Sequence, residues 1–87
     1  MPLYQVVIKK SAEKEIASLP LHIIEKLYKL LDQLTFDARP GGVKKLSGHK
    51  NLYRLRLNDY RIIYSVEDDK LYIIILKVGH RKDVYKG

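Results

Sequence analysis

Three closely spaced runs between residues 52 and 78 constrain this chain more than any other feature. Residues 52–57 (LYRLRL) and 60–66 (YRIIYSV) alternate polar and apolar side chains, the two-residue period of a half-buried strand. Only Asn58-Asp59 separates them, a pair suited to the tight turn of an antiparallel hairpin. After the polar turn Glu67-Asp68-Asp69, residues 71–78 (LYIIILKV) are almost continuously apolar, which predicts a strand central in its sheet, ended by Gly79. A sheet of this kind needs a cover.

The cover is encoded upstream. Residues 3–8 (LYQVVI) read as a first strand. Ser11 is then a candidate helix N-cap, with Glu13 and Glu15 near the positive end of the helix dipole. Ala12, Ile16 and Leu19 share one helical face before Pro20 interrupts, and Ile23, Ile24, Leu27, Leu31 and Leu34 continue at a period near 3.6 in a second helix. Residues 36–51 read as loop, broken by Pro40-Gly41-Gly42 and made basic by Lys44, Lys45, His49 and Lys50. The expected fold is α+β, a two-helix hairpin packed on a mainly antiparallel four-stranded sheet in the order β-α-α-β-β-β. Eighty-seven residues form one domain, 1–87.

Seventeen Lys and Arg against ten Asp and Glu leave a formal charge of +7. Such a surplus favours a polyanionic partner, whether nucleic acid, an acidic protein or an anionic membrane. There is no cysteine, hence no disulfide framework, cysteine-based metal site or thiol nucleophile. Nor is there an apolar stretch long enough for a signal peptide or membrane span, so a soluble cytoplasmic protein is expected.

The chemistry-bearing stretch is 53–61, YRLRLNDYR. Alternation sends Arg54 and Arg56 to one face and Tyr53, Leu55 and Leu57 to the other. With Asn58-Asp59 as the turn, Arg56 lies opposite Arg61, a like-charge pair that destabilises by up to about 1 kcal/mol. A phosphate would compensate, since guanidinium forks match its oxygens bidentately. Solvation of an exposed face, or pairing with Glu67, Asp68 or Asp69, would also account for these arginines.

KLSG at 45–48, YRLRL at 53–57, YRIIY at 60–64 and VGHRKDVY at 78–85, in this order and spacing, closely resemble the RelE toxins of the RelE/ParE toxin–antitoxin family over nearly the whole chain. The resemblance implies a ribosome-dependent endoribonuclease that cleaves mRNA in the A site, with the RNA's own 2′-hydroxyl attacking the adjacent phosphate and no metal or cofactor required. By position, Arg61 and Arg81 match the family's phosphate-stabilising arginines and Tyr85 its C-terminal tyrosine. Arg54 and Arg56 stand where the best-known member carries lysines, and arginine, always protonated, is a poor base though a good phosphate clamp.

The expected catalytic set is therefore Arg56, Arg61, His80, Arg81 and Tyr85. His80 enters because imidazole titrates near physiological pH, the alternative being that it only hydrogen-bonds the tail. Lys44, Lys45, His49, Lys50 and Arg54 are expected to contact RNA. His22 reads as surface, and Tyr53, Tyr60, Tyr64 and Tyr72 as packing on the core face, with room for one to stack on a base. No spacing of His, Asp or Glu resembles a metal site. A RelB-like antitoxin, the ribosome and mRNA are the implied partners. Two other readings stand beside this one: a ParE-like inhibitor of DNA gyrase that cuts nothing, and a basic RNA-binding module without toxicity.

Overall fold

The computed structural model describes residues 3–80, and its core is a five-stranded sheet with two helices on one face. The elements are β1 (Gln5–Ile8), α1 (Lys10–Ala17), α2 (Leu21–Phe36), β2 (Lys44–Lys45), β3 (Leu52–Leu57), β4 (Tyr60–Glu67) and β5 (Tyr72–His80). The sheet order is β1-β5-β4-β3-β2. β1 runs parallel to β5, and the other pairs are antiparallel. The α+β architecture and element order are as the sequence predicts, and β5 is internal to the sheet.

Local differences have local causes. The first helix starts one residue before Ser11, because the Glu13 amide already donates to the Lys9 carbonyl at 2.9 Å; Lys9 is the N-cap, without a side-chain cap bond. Leu3 and Tyr4 do not extend β1, since both amides donate to the Thr35 carbonyl at the end of α2. The segment read as loop contributes the short edge strand β2, making five strands rather than four. Two residues are too few for any periodicity to reveal. β5 runs on through Gly79 to His80, so Gly79 does not end it.

The core joins Ala12, Ile16, Leu27, Leu31 and Leu34 of the helices to Leu55, Ile62, Tyr64, Val66, Ile73, Ile75 and Val78 of the sheet. An irregularity in β5 places the last of these. Ile63 pairs with Lys77 but Tyr64 pairs with Ile75, so Leu76 is an extra residue in the ladder. Beyond it the side-chain alternation of β5 inverts. Ile75 and Val78, three apart, both reach the core, and Gly79 comes to lie opposite Arg61 on the other face. No helix among the described residues covers that second face.

Tyr64 is the largest side chain fully inside, at 0% exposure, and its hydroxyl donates to the Ala38 carbonyl at 2.8 Å. Its ring stacks on Tyr53, with centroids 5.9 Å apart. Tyr72, by contrast, is exposed and does not pack as the alternation suggested. Burial pushes the Tyr64 phenol from its ordinary value near 10 up to about 12. The folded chain therefore holds this proton more tightly than the unfolded chain. The corresponding stability is complete below pH 10 and is lost as pH rises towards 12, about 2 to 3 kcal/mol in all. Denaturant unfolding at pH 8 to 12 should show this component in the native chain and not in Y64F, which should also lose about 1 kcal/mol at neutral pH with its hydrogen bond.

Candidate active site

The β3–β4 hairpin builds the site. Asn58 takes a left-handed conformation (φ 54°), tolerated by Asn, and the turn closes with two residues. Leu57 then pairs with Tyr60, and Arg56 with Arg61, as the spacing predicts. Arg54 pairs with Ile63 on the same face, and across the other edge of β3 it pairs with Lys44 of β2.

These side chains meet. Lys44, Arg54, Arg56 and Arg61, with Gly42, line a cavity of about 260 Å³ on the face that the helices leave uncovered. No carboxylate among the described residues lines it. Arg61 is 8% exposed, and its Nη1 donates to its neighbour's carbonyl, Tyr60 O, at 3.3 Å. Gly79 on β5 lies directly across from Arg61. A guanidinium this buried calls for a counter-anion, because a desolvated charge is costly unless paired.

Asp68, Glu67 and Glu15 serve other groups. Asp68 binds Arg39, with Nη2 at 2.7 Å from Oδ2, and accepts the Tyr4 hydroxyl on Oδ1 at 2.7 Å. The Arg39 guanidinium, then the Tyr4 hydroxyl, hold the Asp68 carboxyl below its usual range, while the bond to Asp68 raises Tyr4. Arg39 also donates Nε to the Tyr53 hydroxyl at 2.9 Å and lies over that ring. Glu67 accepts from Asn51 Nδ2 at 2.9 Å, and Glu15 accepts the Val78 amide at 3.0 Å. Pairing of the cavity arginines with Glu67 or Asp68 is thus not what the fold adopts.

The expected RNA-contacting residues divide into two groups. Lys44 and Arg54 belong to the arginine cavity, while Lys45, His49 and Lys50 line a shallow hollow of about 430 Å³ with Leu46, Ser47 and Gly48. Of the expected catalytic set, Arg56 and Arg61 converge. His80 does not join them: the inverted alternation of β5 turns it to the helix side, where it packs edge-on against Tyr60 with centroids 5.7 Å apart and lines a separate cavity with Glu15, Ser18 and Leu19. Arg81 and Tyr85 lie outside the described residues. Sequence reasoning missed Gly42, which it took only as a breaker, and the packing of Lys44 against the arginines. No His, Cys, Asp or Glu cluster among the described residues is arranged to hold a metal. No helix among them is long and apolar enough to cross a membrane.

The family described as the ParE toxin of the type II toxin–antitoxin system parDE matches residues 6–85. The chain is 31% identical over 87 residues to RelE1 of Methanocaldococcus jannaschii, covering 97% of each protein. The chain belongs to the RelE-like toxins of the RelE/ParE family. Its fold superposes on the RelE–RelB complex from Pyrococcus horikoshii with a TM-score of 0.84 at 37% identity, covering 93% of this toxin and 98% of that chain. On the intact E. coli RelBE toxin–antitoxin complex the TM-score is 0.78 at 29% identity, with 88% and 95% covered.

Packing cations on neighbouring strands costs this RelE-like toxin stability in the absence of an anion. Arg56→Ala should leave the fold as stable as the parent, or more stable by up to about 1 kcal/mol at low ionic strength, whereas most substitutions destabilise. Urea denaturation at low and high salt measures it; a loss above about 1 kcal/mol at low salt would contradict the repulsion.

Proposed function

We propose that this RelE-like toxin is an endoribonuclease that cleaves mRNA in the ribosomal A site and so stops translation. One observation carries the reading: four cations from three strands face a single cavity of about 260 Å³ that no described carboxylate lines. The cavity suits one phosphodiester. In the cleavage, the 2′-hydroxyl oxygen attacks the adjacent phosphorus, negative charge builds on the non-bridging oxygens, and the bond to the 5′-oxygen breaks. Arg56 and Arg61, fixed by the hairpin register, stabilise that charge, and Arg54 grips the backbone beside them. Removal of one such preorganised donor costs roughly 10²- to 10³-fold in rate. Lys45, His49 and Lys50 add sequence-independent contacts to phosphates.

A RelB-like antitoxin is the proposed partner, on the strength of the RelE–RelB and RelBE complexes that the fold matches. The +7 charge suits an acidic antitoxin that covers the cationic face. The proposed place of action is the cytoplasm, where mRNA is translated.

The ParE name of the matching family favours one second reading, a DNA gyrase inhibitor that cuts nothing. Translation in a purified system, with 5′ ends of ribosome-bound mRNA mapped, separates the two. A-site cuts are expected from the native toxin, reduced about 10²- to 10³-fold in Arg61→Ala at unchanged unfolding midpoint. Uncut message together with inhibited gyrase supercoiling would establish the second reading instead.

A further inference from the structure

The arginine cavity raises a question of proton supply. Expulsion of an RNA 5′-oxygen is fast only if the oxygen receives a proton as its bond to phosphorus breaks. Arg54, Arg56 and Arg61 hold their protons too firmly to give one, and Gly42 has no side chain. The imidazole of His80 is on the helix side of the sheet, and that of His49 lines the neighbouring hollow. Among the described residues, one side chain lining the cavity remains, that of Lys44.

We propose that Lys44 is the general acid of this site, an inference that rests on the nuclease reading above. Lys44 enters from the edge strand β2, opposite Arg54, and the same cavity brings its side chain to Arg56 and Arg61. Its ammonium carries three hydrogens on a flexible four-carbon stem, which can follow a leaving oxygen that the rigid guanidinium forks do not serve. It is also exposed, so water can restore its proton after each turnover.

The step balances as follows. The 2′-oxygen forms its bond to phosphorus and releases its proton to a water molecule. The bond from phosphorus to the 5′-oxygen breaks, its electron pair staying with oxygen. A proton from Lys44 Nζ moves to that oxygen, giving a 5′-hydroxyl end, a 2′,3′-cyclic phosphate end and a neutral amine. The hydronium formed in the first event returns a proton to the amine.

A message with sulfur in place of the bridging 5′-oxygen at the cut site tests this, because a thiolate leaves without protonation. In the purified translation system, K44R and K44Q should each cut ordinary mRNA about 10²- to 10⁴-fold more slowly than the native toxin. Both should cut the sulfur-substituted message at close to the native rate. Arg61→Ala should remain slow on both messages. K44R keeps the positive charge, so its loss of rate on ordinary mRNA reports the proton rather than the charge. Far-UV circular dichroism and a urea midpoint on each variant establish that it is folded. The proposal is overturned if K44R cuts ordinary mRNA within a few-fold of the native rate, or if folded Lys44 variants are equally slow on both messages. Either result leaves the nuclease reading intact. A native toxin that leaves ordinary mRNA uncut would sink both.

Discussion

Arg56 and Arg61 are held opposite each other by a two-residue turn, and much of the molecule follows from accommodating that repulsion. The hairpin cannot relieve it by slipping, because a shift of one residue would turn Leu55, Ile62 and Tyr64 out of the core. Several buried apolar side chains, each contributing about 1.5 to 3 kcal/mol, outweigh a like-charge contact of at most about 1 kcal/mol. The core therefore dictates the register, and the register dictates the cation pair. The pair is stable enough to exist, and no carboxylate among the described residues lines its cavity, the condition of a site preorganised for an anion.

The rest of the fold anchors the segment that leads into the cavity wall. The Arg39–Asp68 pair is joined by the Tyr4 and Tyr53 hydroxyls. As a surface pair it adds little stability. Its consequence is positional: it ties the segment after α2 to the start of β1 and to the β4–β5 turn. The Tyr64 hydroxyl bond to Ala38 anchors the same segment from inside. Gly42 and Lys44 leave this anchored segment directly into the cavity wall. Stability and site are thus linked through residues 37–44, a stretch with almost no regular structure.

The bulge in β5 has an effect on chemistry as well as on packing. By inverting the alternation after Leu76 it sends Val78 into the core and His80 to the helix side, and it leaves the smallest residue, Gly79, beside Arg61. One inserted residue separates the imidazole from the guanidinium groups.

Much of this was legible in the sequence because it rests on local rules. Strand alternation, helical periodicity and the Asn58-Asp59 turn determined the α+β order, the β3–β4 register and the juxtaposition of Arg56 with Arg61, all set by neighbours within a few residues. Tertiary structure alone decided the rest. The edge strand β2 exists only because β3 offers it a partner; the bulge is a property of how β4 and β5 pair, invisible in the uniform apolar run 71–78; and Asp68 meets Arg39 across 29 residues of chain. Lys44 and His80 exchange prospects for that reason. Side-chain placement on a strand depends on its pairing register as well as on its own sequence, and pairing is settled only when the strands meet.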